Sequence, residues 1–247
     1  MPAEVVALYR HPVKSMWGED VDTMTIVDGG VLGDRVRAFE AVQNGERITA
    51  KKHGAMLNCR VRYLTAPSEA DPAPPIEVTM PDGSVVRGES DALTARVSDL
   101  LGVEVRLAAG ASGSQVDLAP VHIVAAGTLR WLAAQYPAGC WAARRFRPNI
   151  VIDDGEDHGA AEDRWLGCDL HIGDAVLHVS LPTPRCVMTT RGQGDVLPHD
   201  RNIMRTMTRV RMRDVPGFGE RPSVGVYADV VQPGIVQRGD AVRVMSA

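Results

Sequence analysis

Lysine is scarce in this sequence: of 27 basic residues only Lys14, Lys51 and Lys52 are lysines. Such a bias follows from genome composition as readily as from anion binding, so clusters of arginine are discounted here and Lys14 gains weight. Long apolar runs are absent too, and none approaches the roughly 18 to 20 residues of a membrane-spanning helix. The first residues enter an alternating apolar pattern at Val5 with no basic, hydrophobic or cleavage segment before it, an expectation of a cytoplasmic protein without membrane attachment. The formal charge of -4 leaves no global positive field to draw the chain to nucleic acid, and any anionic ligand must be held by a local cluster. The cysteines, Cys59, Cys140, Cys168 and Cys186, lack C-x-x-C spacing and read as free thiols rather than as a zinc or disulfide framework.

What the sequence has in abundance is short β-branched runs, at residues 5–9, 23–27, 61–64, 76–79, 149–152, 176–181 and 224–231. Turn signals separate them, among them Asp28-Gly29-Gly30, Asn44-Gly45, Asp82-Gly83, Asp154-Gly155 and Pro233-Gly234. Helical periodicity is confined to 91–101, ended by Gly102; to 128–136, stopped by Pro137; and to 201–209, with Asp200 as N-cap and Ile203, Met204 and Met207 buried. The pattern predicts a mainly β, α+β protein: a barrel or sandwich with a few short helices. Residues 66–75, with four prolines, form a solvent loop, and residues 108–115 read as a flexible linker at a module boundary.

Several segments could carry chemistry. Pro12-Val13-Lys14-Ser15 delivers a lysine and a serine at the end of a strand, a pair able to grip a phosphate or a pterin heteroatom; an ordinary solvated turn fits the segment alone equally well. In Gly33-Asp34-Arg35 the aspartate can orient the guanidinium toward an anion. Arg144, Arg145, Arg147 and Asn149 lead into an apolar strand, and arginine at a barrel mouth suits a multidentate phosphate. Glu162 and Asp163 beside Trp165 suit the anchoring of neighbouring arginines. Cys186 follows two prolines and sits between Arg185 and the hydroxyl-bearing Thr189 and Thr190. A guanidinium beside a thiol favours the thiolate that a soft or high-valent metal needs, while a buried inert cysteine is the competing reading.

Taken in order, these segments resemble the MOSC family, named for the C-terminal domain of molybdenum cofactor sulfurase, together with its N-terminal β-barrel module. The resemblance rests on Pro12 to Ser15, Gly33 to Arg35, Arg145 to Asn149, Glu162 to Trp165, Arg185 to Thr190, Gly225 to Ala228, Pro233-Gly234 and Gly239-Asp240. It implies an N-terminal barrel-like module over residues 1–108 and a MOSC β-barrel over 116–247. It also implies a bound molybdenum cofactor, with Cys186 as metal ligand and catalytic residue. Lys14, Ser15, Arg35, Thr128, Arg145, Arg147, Asn149, Arg185 and Thr189 become candidate cofactor contacts. Relatives such as the amidoxime-reducing component reduce N-hydroxylated small molecules with electrons from separate flavin and iron–sulfur or haem proteins, so an external donor is expected here. The alternative is a cofactor carrier or a sulfur relay that passes a persulfide through Cys186 without turnover. The family-level label of pyridoxal phosphate binding belongs to a sulfurase module with no counterpart in this sequence, so cysteine desulfuration is not implied. Where relatives carry Cys-x-Arg-Cys this chain has Thr183-Pro184-Arg185-Cys186, which leaves one thiol at the metal and opens the question of substrate.

Overall fold

A computed structural model describes residues 3–157 and 159–246. In chain order the first half contains β1 (Glu4–Arg10), β2 (Glu19–Val21), β3 (Thr23–Val27), β4 (Gly30–Val31), β5 (Arg37–Ala41), β6 (Arg60–Tyr63), β7 (Ile76–Thr79), β8 (Val85–Arg87), α1 (Asp91–Leu101) and β9 (Val105–Ala109). The second half adds β10 (Val121–Ala125), α2 (Ala126–Gln135), β11 (Ile150–Asp153), β12 (Cys168–Ile172), β13 (Ala175–Pro184), α3 (Asn202–Val210), β14 (Met212–Val215), β15 (Gly219–Gln232), β16 (Gly234–Gln237) and β17 (Val242–Ser246). Strands dominate and the three α-helices are short, so the protein is mainly β with an α+β character.

The largest sheet runs β17-β12-β13-β15-β10-β11-β1-β2, with β14 paired to β15; within it only β10 and β11 are parallel. Its far edge returns to β1. The Val5 amide donates to the Asp240 carbonyl at 2.9 Å, and the Val242 amide donates to the Ala3 carbonyl at 2.8 Å. Those bonds close the ring into a barrel. Val5, Leu8, Ile123, Ile150, Ile152, Leu170, Leu177 and Val226 fill it, all at most 1% exposed. Their alternation along the strands is what the period-2 pattern of the sequence demands.

A second core gathers Val13, Met16, Val36, Phe39, Met56, Val61, Ile76, Leu93 and Val97 between the β5–β9 pair, the β6-β7-β8 sheet and α1. The helix is where the pattern places it, and it ends on Gly102 at φ +64, the left-handed geometry that glycine adopts without steric cost. Meanwhile β1 pairs with β11 and β3 pairs with β16, so the first strands of the chain belong to the sheets of its second half. Two expectations need correction. Residues 108–115 are no free linker: the amides of Gly110, Gly113 and Gln115 donate to the carbonyls of Val36, Asp34 and Arg35 at 2.8, 3.0 and 3.1 Å. At α3 the N-cap is Arg201, although the Asp200 carboxylate still accepts the Asn202 amide at 2.8 Å. Ile203 and Met207 are buried there and Met204 only half-buried.

Candidate functional site

Where the barrel meets the smaller core, a crevice of about 390 Å³ opens. Lys14 and Ser15 reach it from the turn after β1, Arg35 from the turn before β5, and His122 from β10. Arg147 and Asn149 come from the approach to β11, Arg185 and Cys186 from the end of β13, and Tyr227 from β15. Seven of the ten expected site residues therefore line one space: Lys14, Ser15, Arg35, Arg147, Asn149, Arg185 and Cys186. Five cations, Lys14, Arg35, Lys51, Arg147 and Arg185, face a single carboxylate there, Asp117. A net acidic chain thus carries a strongly positive recess, the arrangement that attracts an anion locally.

Backbone strain is concentrated at the same place. Ser15, Arg35 and Arg147 have φ of +70, +47 and +56, and they are the non-glycine residues with positive φ among those described. All three line the crevice. Each costs on the order of 1–2 kcal/mol relative to an ordinary conformation, and such outliers persist where the surroundings over-determine them.

Arg147 is the most informative of the three. It is 6% exposed; its Nη1 donates to the Met16 carbonyl at 2.5 Å, and its Nη2 is buried with no partner. Burial, reinforced by the neighbouring Arg35 charge, pulls its pKa down to about 9. A buried guanidinium with an unmatched N–H favours any acceptor brought to it, since leaving such a donor unsatisfied costs about 1–3 kcal/mol. Arg35 is held by Asp34, by the Asn149 Oδ1 at 3.2 Å and by the Arg147 carbonyl at 3.0 Å. Asn149 is itself a crosslink, accepting also from the His122 amide at 3.2 Å and donating to the Tyr9 carbonyl at 3.3 Å. Ser15 Oγ accepts the Ala50 amide at 3.0 Å, which leaves its hydroxyl proton to donate.

Lys14 donates to the Gln115 carbonyl at 2.7 Å and pairs with Asp117. Burial lowers its pKa more than Asp117 restores it. Asp117 is an exposed carboxylate set among the crevice cations: the surrounding walls push its pKa upward, yet Lys14, Arg35 and Arg147 together hold the carboxyl below its ordinary range. His122 is buried among cations, and desolvation followed by the Arg185 charge drives its pKa well below the usual value, so it is neutral. Its Nδ1 lies 3.1 Å from the Arg147 carbonyl and its Nε2 meets Arg185 Nη2, which places the proton on Nδ1 and the lone pair toward the guanidinium. Gly225 makes that meeting possible, because a Cβ there would sit 2.7 Å from His122 Nε2 and 2.5 Å from the Ile123 carbonyl oxygen. Arg185 also donates to the Phe146 carbonyl at 3.0 Å and to the Val224 carbonyl, and burial lowers its pKa to about 10. Cys186 follows it as an exposed free thiol, and the buried-cysteine reading does not apply.

Three expected residues lie elsewhere. Thr128 is fully buried and its hydroxyl donates to Glu162, whose other oxygen accepts the Gly225 amide at 2.8 Å. Gly127 beside it admits the Glu156 carbonyl so closely that a Cβ would stand 1.8 Å away. Arg145, also fully buried, donates to the carbonyls of Cys140, Thr189, Arg191 and Pro198, at 2.8, 3.0, 3.3 and 3.0 Å. Thr189 bonds back to the Cys186 carbonyl at 3.0 Å. These residues hold the walls and the Cys186 turn in place, and none of them lines the crevice. Glu162 and Asp163 do anchor arginines: Arg211 lies 3.7 Å from Glu162, and Asp163 pairs with Arg211 and Arg213 at 3.1 and 2.6 Å. Sequence reasoning missed Asp117, His122, Tyr227 and Lys51 as lining residues. For Lys51 the signal was present, since two of the three lysines face this space.

Comparison with known proteins follows the same geography. The family pattern described as MOSC domain matches residues 112–243, and that described as MOSC N-terminal beta barrel domain matches residues 2–117. Mitochondrial amidoxime reducing component 2 of Rattus norvegicus is 29% identical over 129 residues, covering 51% of this chain and 37% of that protein. The chain thus spans well under two thirds of the curated relative it matches. Among solved structures, the YuaD protein of Bacillus subtilis aligns over 100% of this chain and 97% of its own, at 12% identity and a TM-score of 0.49. YiiM of Escherichia coli aligns over 52% and 55%, at 18% identity and a TM-score of 0.36. Among the described residues no helix is long and apolar enough to cross a membrane.

Proposed function

We propose that this chain, which belongs to the MOSC domain family, holds a molybdenum cofactor in its cationic crevice and reduces N-hydroxylated or related N-oxygenated compounds with electrons from a separate donor protein. The observation that carries this reading is that one crevice is lined both by an exposed Cys186 and by Arg147, whose buried Nη2 has no partner. The same lining thus offers a sulfur ligand to a soft or high-valent metal and a desolvated cation to a phosphate. The residues present fit such a group.

Bound there, the cofactor would supply the two-electron chemistry: an amidoxime takes up two electrons and two protons, its N–O bond breaks, and an amidine and water leave. The protein's own part is placement and charge. Arg147, Arg35 and Lys14 neutralise the anionic end, and the Ser15 hydroxyl adds a donor. Neutral His122 fixes Arg185 without adding a further positive charge to the wall. Burial raises the pKa of the Tyr227 phenol, so it stays protonated and able to donate into the crevice. Asp117 keeps its charge beside Lys14 and holds that ammonium at the rim.

Expression alongside cofactor-producing machinery, metal analysis and benzamidoxime reduction with an artificial electron donor test the proposal. Stoichiometric molybdenum with turnover is expected, and Cys186→Ser abolishes the turnover. Molybdenum without turnover would make the chain a carrier, and retained activity in the serine variant would remove Cys186 from its essential role.

A further inference from the structure

A second cavity, of about 590 Å³, shares only Arg185 and Cys186 with the crevice. Its other basic walls are the arginines Arg191, Arg201 and Arg205, with His199 beside them and Val187 and Met204 supplying apolar surface, and among the described residues no carboxylate lines it. The guanidiniums here differ from most in this protein. Many arginines elsewhere close on carboxylates, as Arg10 does on Glu19 at 2.8 Å, Arg62 and Arg87 on Glu77 at 2.8 Å, and Arg130 on Asp153 at 2.8 Å. Around this cavity Arg205 donates to the neutral Asn202 Oδ1 at 3.0 Å, and Arg191 donates through Nη2 to the Lys51 carbonyl at 3.2 Å while its Nε is buried without a partner. Arg201 makes no ion pair among the described residues. Asp200, the neighbouring carboxylate in the chain, is engaged at the start of α3 by the Asn202 amide. Three guanidiniums gathered without a counter-charge repel one another, and an oxyanion placed among them relieves that repulsion through charge-assisted hydrogen bonds.

We propose that this cavity seats the substrate and selects N-oxygenated compounds that carry an acidic group, a carboxylate or phosphate, on an apolar body. The oxyanion meets Arg191, Arg201 and Arg205, the apolar body lies against Val187 and Met204, and the N–O end reaches Cys186 where the two cavities join. This inference deepens the reading of Cys186 as the reaction centre and rests on it. It also separates the two cationic spaces by task, one for the cofactor and one for the compound it acts on.

The test compares benzamidoxime with 4-carboxybenzamidoxime as substrates of the molybdenum-loaded chain. The carboxylate is expected to have a kcat/KM about tenfold higher, mostly through KM, and the ratio is expected to collapse toward one in the Arg201→Ala/Arg205→Ala double variant. Both side chains are exposed, so the fold is retained. Equal kcat/KM for the two compounds, or a preference that survives the double substitution, overturns the proposal. A second readout needs no turnover: in the full chain produced without cofactor, the rate of Cys186 alkylation by iodoacetate relative to iodoacetamide, followed by peptide mass spectrometry, should fall about tenfold in the double variant. A chain that reduces neither amidoxime yet shows that fall rejects the redox reading and keeps an anion-selecting cavity. One that reduces both equally, with an unchanged alkylation ratio, keeps the redox reading and rejects the cavity's role.

Discussion

Replacing Arg147 with glutamine should move stability and ligand binding in opposite directions. The guanidinium is buried, half unpartnered and repelled by Arg35, and its pKa falls from the ordinary arginine value to about 9. A pKa unit corresponds to about 1.4 kcal/mol, so holding this charge in the cofactor-free chain costs at most roughly 3–5 kcal/mol near neutral pH. Against that stands the loss of the bond to the Met16 carbonyl, about 1 kcal/mol, and of some packing. Arg147→Gln is therefore expected to stabilise the cofactor-free chain by roughly 1–3 kcal/mol in urea denaturation at neutral pH. The sign with pH follows from linkage. A cation whose folded pKa lies below its unfolded one carries its full cost at lower pH and sheds it as pH rises through about 9. The gap between variant and wild type should accordingly narrow above pH 9. In the loaded protein the same side chain meets an anion, and its loss should weaken cofactor retention roughly 10- to 100-fold, the equivalent of about 1.5–3 kcal/mol for a charge-assisted bond. A variant that is less stable without cofactor and retains cofactor normally would show that Arg147 is only a structural strut.

Other substitutions separate the wall from the site. Thr183 is buried with its hydroxyl unpartnered; Thr183→Val should raise stability by about 1 kcal/mol in thermal unfolding, and a loss would imply a hidden partner. Arg145→Ala leaves four carbonyls without their donor and should cost about 3 kcal/mol or more, lowering the melting temperature of the chain with or without cofactor. A normal melting temperature combined with lost cofactor would return Arg145 to the binding site. Cys186→Ser, at an exposed position, should leave the melting temperature within about 0.5 kcal/mol of wild type while turnover disappears.

The motif residues at strand ends were readable because a strand that stops at a turn, as at Pro12 or after Pro184, must deliver its next side chains to a rim. That geometry brings Lys14, Ser15, Arg185 and Cys186 to one crevice. Helix α1 was readable to its last residue because its apolar stripe ends on a glycine that can take positive φ. Arg145 and Arg147 show the limit. They sit two residues apart in one motif, yet one is spent on backbone carbonyls and the other lines the crevice with one buried nitrogen left unpartnered. Only the left-handed backbone at Arg147, which a non-glycine sequence does not announce, separates their directions. Composition misled at residues 108–115, where small residues suggested freedom. Smallness instead allows the backbone to pack against residues 34–36 and to bring Asp117 opposite Lys14. At Thr128 the sequence announces the hydroxyl but not its partner, Glu162, to which it donates from a fully buried position.

The most direct measurement is X-ray absorption at the molybdenum edge on the loaded wild-type chain and on Cys186→Ser. A sulfur shell that loses one scatterer in the variant is the predicted result. Identical sulfur shells in the two proteins, or a wild-type chain that acquires no molybdenum, would contradict the assignment of Cys186 as the protein's ligand to the metal.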